Sequence, residues 1–222
     1  REGVKIIRIE PYADGVRVVL EKDGGEEVVD GSHLLVATGR RPNVAGLDLE
    51  KAGIKYSDKG IPVDARLRTS NKKVFAIGDV TGGFLFTHVA GYHASVVIKN
   101  ALFHLPAKAD HKNVPRVTYT APELAQVGLN EAGAKQAGKD FRVLRWPFHE
   151  NDRAQAEGAT DGLIKAIITP KGHILGCGIV GAHAGELIQP WVLAMSRKLK
   201  IGAMATMIVP YPTLGEVSKR AA

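Results

Sequence analysis

The stretch ILGCGIVGAHAGELI, Ile174–Ile188, contains Gly176-Cys177-Gly178-Ile179-Val180-Gly181, a literal G-x-G-x-x-G behind an apolar run. A dinucleotide fingerprint puts its first glycine at the turn from a strand into the helix of a parallel βαβ unit, with an acid about 20 residues beyond. Here the preceding run, GLIKAIITP at 162–170, is joined to it through Pro170-Lys171-Gly172, which reads as a hairpin. No Asp or Glu lies between Glu186 and Glu216, and too little chain follows the next helix to return a second parallel strand. The motif therefore reads as the interior of an antiparallel strand. Gly178 and Gly181 are expected to serve close packing of that strand against its helix.

Working outward, PRVTYT (115–120), LAQVGL (124–129) and FRVLRWPF (141–148) also read as strands, with helices over 130–137 and 184–199. Strands with segregated helices indicate an α+β domain on a mainly antiparallel sheet. Upstream, LPAKADHKNVP at 105–115 is polar and holds two prolines, which marks a boundary. Before it, KKVFAIGDV at 72–80 reads as a buried strand, then Gly82-Gly83, then a helix from Thr87 to Phe103. Strand, glycine-rich turn and helix make an α/β crossover. Residues 4–9, 15–22 and 26–39 read as a β-meander broken by Asp-Gly and Gly-Gly turns, closing at Gly39 and Pro42-Asn43.

With 222 residues and 45% hydrophobic content, the chain has enough apolar material for a real core. It holds no apolar run long enough to span a bilayer and opens on no basic-then-apolar leader, so no membrane is expected and the expected location is cytoplasmic. Cys177, the single cysteine, cannot form an internal disulfide and reads as a small buried hydrophobe. The net charge of +7 comes from Lys and Arg scattered along the chain, a solvated basic surface with no nucleic-acid partner expected. Arg197-Lys198-Leu199-Lys200 reads as the cationic last turn of a helix, and no metal-ligating set is read. The chain starts at Arg1 and runs at once into a strand, so it reads as a piece of something longer.

Asp79 carries the chemical signal. A carboxylate at the end of a buried strand must be solvated, cap a turn or bond a ligand hydroxyl. Around it VATGRRPN, VFAIGDVTGG, FTHVAGYHASVV, VTYTAPELAQVGLNEAGAK and YPTLGE follow one another in order. In these motifs the chain resembles the C-terminal half of the pyridine nucleotide-disulfide oxidoreductases, the flavoenzymes that include glutathione reductase, dihydrolipoamide dehydrogenase and mercuric reductase. The resemblance covers nearly the whole chain. It implies that residues 1–41 end an NAD(P)-binding domain, 42–108 are the returning part of an FAD-binding domain, and 109–222 are the dimerisation domain of a homodimer. The implied fold is α/β with a β-meander, followed by the α+β domain.

By the same resemblance Asp79, after Gly78, bonds a ribityl hydroxyl of FAD. Leu85, Phe86, Thr87 and His88 begin the helix whose N–H groups and dipole face the flavin pyrimidine oxygen. Gly39 lies near the nicotinamide nucleotide, and Arg40 and Arg41 are read as exposed. In such enzymes electrons pass from NAD(P)H to FAD to a cysteine pair and on to substrate. This chain lacks the FAD fingerprint and the cysteine pair, so alone it is expected to be inactive and to retain no FAD.

YPTLGE departs from the His-Pro-Thr…Glu pattern of disulfide reductases, where the His serves the partner's thiols as acid and base. Tyr211 replaces it, as in mercuric reductases, which tilts the resemblance towards that branch and a metal-ion or other atypical small substrate. A phenol of pKa about 10 donates a hydrogen bond or ligates but shuttles protons poorly. Tyr211 and Glu216 are the candidate catalytic residues. Against this stand an aromatic plug in the dimer interface for Tyr211 and a helix N-terminal acid for Glu216. The terminal cysteine pair of mercuric reductases does not follow KRAA. Alternatives are a dihydrolipoamide dehydrogenase-like or other flavin reductase without a catalytic His, or a non-catalytic homodimerisation module.

Overall fold

A computed structural model describes all of residues 1–222. Strands β1 (Lys5–Tyr12), β2 (Gly15–Lys22) and β3 (Gly25–Gly31) form an antiparallel meander in that order. The β2–β3 connection is the two-residue loop Asp23-Gly24, both with positive φ (51° and 82°), a backbone whose twist matches a hairpin. Across this pair Arg17 is opposite Asp30, donates to both its oxygens at 2.7 and 2.8 Å, and covers the Tyr12 ring at 3.6 Å. The expected strand at 26–39 ends early. β3 stops at Gly31, and Leu35 and Val36 lie 89% and 70% exposed outside any ladder. A β-branched apolar run forms a strand only when it meets another strand's free edge.

The expected strand at 72–80 is also absent. Its backbone makes a single bridge, Arg68 with Phe75, and bonds from Thr69 N to Val74 O and Ala76 N to Leu67 O. These irregular turns close over a small cluster of Leu49, Ile54, Ile61 and Ala76. Helix α1 (Thr87–Ala101) follows, burying Val89, His93 and Val96 on one face.

Beyond it lies a five-stranded antiparallel sheet of order β4-β5-β8-β7-β6: β4 (Arg116–Thr118), β5 (Glu123–Gly128), β6 (Arg142–Pro147), β7 (Leu163–Ile168) and β8 (Ile174–Gly181). Helices α2 (Glu131–Gln136) and α3 (Asp152–Glu157) are capped by Asn130 and Asn151, whose side chains accept the N–H of Gly133 and Ala154. The helix expected over 184–199 is divided into α4 (Ala184–Leu187) and α5 (Gln189–Ser196). Pro190, in the first turn of α5, has no N–H to continue the ladder from α4. Arg197-Lys198-Leu199-Lys200 thus follows the helix instead of forming its last turn. Short helices α6 (Ile201–Ala205) and α7 (Glu216–Arg220) complete the domain. Eighteen buried residues form one core, with Trp191 of α5 donating its Nε1–H to Ser218 of α7 at 3.0 Å.

The G-x-G-x-x-G lies wholly inside β8, with antiparallel neighbours on both sides. Cys177 is 1% exposed among Val127 and Ala166, and burial pushes its thiol well above the ordinary value. The close packing expected of Gly178 is not there: a methyl on it would meet only Ala125 O, at 4.0 Å. Crowding falls instead on Gly181, against the Phe148 ring, and on Gly176, where a Cβ would sit 2.0 Å from Leu129 O. The contact at Gly176 is a β5–α2 loop backbone crossing the strand, and neither partner belongs to the helix that follows β8. Gly176→Ala is therefore expected to lower stability by about 1–3 kcal/mol or more. Gly178→Ala, two residues along, should change it by less than about 0.5 kcal/mol in denaturant titrations.

Candidate functional site

The site is built on a short turn in front of α1. Residues Gly78–Thr81 form one 3-10 turn, with Thr81 Oγ1 donating to Gly78 O at 2.8 Å and Gly82 N to Asp79 O at 3.1 Å. Gly78 has φ +67°, and a Cβ there would press to 2.9 Å on Ala90 Cβ, so only glycine lets the turn rest on α1. Asp79 thus sits on a turn rather than at a strand end. Its Oδ2 accepts from Arg40 Nη1 at 2.9 Å, and the same Nη1 donates to Leu85 O at 3.1 Å. Oδ1 has no protein partner.

Arg40 was expected to be merely exposed. It is 61% exposed at the side chain, yet it bridges the turn and the approach to α1. Sequence gave little sign of this, because 39 residues separate it from Asp79. Only the shared order of TGRRPN and GDV connects the two.

Phe86 caps α1 through its backbone alone. Val89 and Ala90 donate to its carbonyl at 3.0 and 3.1 Å, so the N–H groups of Thr87 and His88 have no protein acceptor. The Phe86 and His88 rings stack at 5.0 Å, and His88 Nε2 reaches Pro115 O at 3.0 Å, fastening the helix start to the second domain. Beside this start lies an open groove of about 720 Å³, walled by Arg40 and Leu85–His88 on one side and by Val117, Ile188 and Val192 on the other. Gly39, with φ +112° and open space where a Cβ would stand, precedes Arg40.

Gly78, Asp79, Leu85, Phe86, Thr87 and His88 therefore come together, joined by Arg40, while Tyr211 and Glu216 belong to another place. Tyr211 is 69% exposed and donates its hydroxyl to Asp152 Oδ2 at 2.9 Å. Its loop is fastened by buried Asn151, whose Nδ2 donates to Thr213 O at 3.1 Å while its Oδ1 caps α3. The hydrogen bond to Asp152, then that carboxylate's charge, hold the phenol above its ordinary pKa, and Glu216 in the first turn of α7 adds to the effect. No group of three or more His, Cys, Asp or Glu is placed to hold a metal ion, and no helix is long and apolar enough to cross a membrane.

Comparison with known proteins places this geometry. The family model for the pyridine nucleotide-disulphide oxidoreductases matches residues 1–94, and the model for the dimerisation domain of the same family matches residues 114–222. The chain belongs to the pyridine nucleotide-disulphide oxidoreductase family. A dihydrolipoyl dehydrogenase of Bacillus subtilis is 38% identical over 96% of this chain and 46% of its own length. A mercuric reductase of Staphylococcus aureus is 36% identical over 99% of the chain and 41% of its own length. Among solved structures, LpdA of Mycobacterium tuberculosis superposes with a TM-score of 0.90 at 27% identity, over 98% of this chain and 47% of that one. The copper(II) complex of RclA, an HOCl-induced flavoprotein disulfide reductase of Escherichia coli, gives 0.88 at 29%, over 98% and 49%. The chain thus spans about half the length of the curated relatives it matches.

Removing the Asp152 charge should release Tyr211. In Asp152→Asn the phenol is expected to titrate closer to pH ~10, seen as phenolate absorbance after subtracting a Tyr211→Phe control. An unchanged titration would mean that the contact is not made in solution.

Proposed function

We propose that this chain is the C-terminal half of an FAD-dependent, NAD(P)H-driven oxidoreductase that works as a homodimer and reduces a disulfide, a metal ion or a related small substrate. The observation that carries the reading is Asp79, with one carboxylate oxygen fixed by Arg40 and the other free, beside a 15-residue helix whose first N–H groups lack acceptors. A free carboxylate oxygen suits a ribityl hydroxyl, and free N–H groups at a positive helix end suit a ring oxygen that gains negative charge. The residues present fit FAD. Bound there, FAD would supply two-electron exchange between a nicotinamide and the substrate side.

The chain's own residues have distinct tasks in this reading. Asp79 orients the ribityl chain, Arg40 fixes Asp79, and the Thr87 and His88 amides hold the pyrimidine edge, with Gly78, Leu85 and Phe86 shaping the approach. Gly39 leaves room for the nicotinamide nucleotide. The division into 1–41, 42–108 and 109–222 assigns these tasks to an NAD(P)-domain tail, part of an FAD domain and a dimerisation domain. Tyr211, near Glu216, serves the substrate side of the partner protomer. Because its proton is given to Asp152, it offers a lone pair outward, as acceptor or ligand rather than proton shuttle.

A second reading, a dimerisation module with an incomplete flavin site, draws on the contrast between the 18-residue core of the second domain and the four-residue cluster ahead of it. Light scattering on the 222-residue chain is expected to give a dimer, and a strict monomer at tens of micromolar would count against both readings.

The chain by itself should purify colourless, since the pyrophosphate half of FAD needs a second anion-binding helix end. In the holoenzyme Asp79→Ala should lower FAD retention. Stoichiometric FAD in that variant would defeat the assignment of Asp79.

A further inference from the structure

One buried imidazole stands directly beneath the proposed flavin turn without a role in it. His93, 3% exposed on the inner face of α1, accepts the backbone N–H of Gly78 on its Nδ1 at 3.1 Å. Its Nε2 lies 2.6 Å from Nε2 of His111, on the segment that leads into the second domain. The two rings meet edge to face, with centroids 5.0 Å apart, and His111 also packs against Tyr92 and Phe84.

Counting protons leaves one arrangement. A neutral imidazole has one donor and one acceptor nitrogen. Since His93 Nδ1 accepts from Gly78, its proton is on Nε2 and points at His111. His111 Nε2 must then accept, which puts the His111 proton on Nδ1. A further proton on His93 Nδ1 would face the Gly78 N–H, and one on His111 Nε2 would face the His93 N–H.

We propose that His93 and His111 are positioning residues for the flavin turn: while both are neutral, their hydrogen-bonded chain holds Gly78-Asp79 on α1 and ties it to the second domain, and acidification releases it. The inference rests on Asp79 being an FAD contact. The surrounding charges are committed elsewhere. Asp64, in the same small cavity, accepts from the N–H groups of Arg66 and Arg68 and pairs with the Arg68 and Lys72 side chains. Asp110 accepts from the Lys112 N–H, and its own N–H goes to the Tyr92 hydroxyl. Asp79, beyond Gly78, pairs with Arg40. Neither imidazole is bonded to a carboxylate that would stabilise a second proton. Burial, then the charge of His111, holds His93 below its ordinary 6.5. The unfolded chain therefore takes up this proton first. The stabilisation is complete above about pH 6.5 and is lost as pH falls from there through the depressed folded value.

Two measurements test it. Long-range proton–nitrogen spectra of the 222-residue chain with labelled histidine, at about pH 7.5, are expected to show His93 protonated on Nε2 and His111 on Nδ1. A proton on His93 Nδ1 would overturn the proposal. In the holoenzyme, FAD retained after ultrafiltration should fall roughly tenfold between about pH 7.5 and 5. His93→Asn keeps an acceptor for Gly78 but does not titrate, so it should retain FAD with a flat pH profile, whereas His93→Ala should lose it throughout. An Asn variant with the parent's pH dependence would also overturn the proposal. If Asp79→Ala keeps its FAD while the tautomers are as stated, it is the flavin reading that has failed, not the histidine pair.

Discussion

The guanidinium of Arg40 is the point at which the parts of this chain are held in register. It leaves the segment after the meander, reaches Asp79 on the 3-10 turn, touches the carbonyl of Leu85 just before α1, and walls the groove shared with α5. An ion pair this exposed adds only about 0–1 kcal/mol, so its importance is geometric. One nitrogen bonded to both a carboxylate and a carbonyl sets the rotation of Asp79, and the free oxygen is thereby aimed. Gly78 makes the arrangement possible from beneath, since any side chain there would lift the turn off Ala90. The site thus depends on one residue that is present for its charge and another chosen for having no side chain.

Periodicity made the second domain legible. β5 alternates between a more buried and a more open face along its length, β7 and β8 are rich in β-branched and small apolar residues, and the Pro170-Lys171-Gly172 turn joins β7 to β8 as a hairpin. The first part was harder because Leu34–Val36 and Val74–Ile77 have strand composition without a strand beside them, and ladder pairing is not a local property. Among the glycines of β8, sequence could not tell Gly176 from Gly178, because what distinguishes them is the Leu129 backbone, dozens of residues earlier. The same limit hid Arg40 and the His93–His111 pair. The glycine-rich turn and the start of α1 were readable because Gly82-Gly83 followed by an apolar helix is a local pattern, whereas the expected strand before them is a set of turns and the role of Asp79 came only from the resemblance.

The uneven distribution of core matters for the site. The sheet domain has a continuous core containing Phe148 and Trp191, both with no exposed surface, while the part that bears Asp79 has only a small cluster and the inner face of α1. Rigidity at the Gly78–Thr81 turn must then come from outside. Side-chain contacts supply it: His88 to the carbonyl of Pro115, His93 to His111, and the Tyr92 hydroxyl to the N–H of Asp110. All link α1 to the segment entering the better-packed domain. His88 and Pro115 line the groove opposite Ile188 and Val192, so its shape depends on the first of these tethers.

On the proposed reading, the distance between Asp79 and Tyr211 in the fold also has a consequence for chemistry. A phenol that faces outward, away from its own chain's groove, can meet the flavin side only of another copy, and in a twofold pair each copy would serve the other. There the phenol differs from an imidazole in more than pKa. Its only proton is held by Asp152, and that bond raises the energy of giving it up. A substrate whose reduction needs proton transfer at this position would therefore find no donor in Tyr211. One that needs a neutral oxygen to accept or ligate would find it held in place by Asn151 and Asp152 through the Tyr211–Thr213 loop.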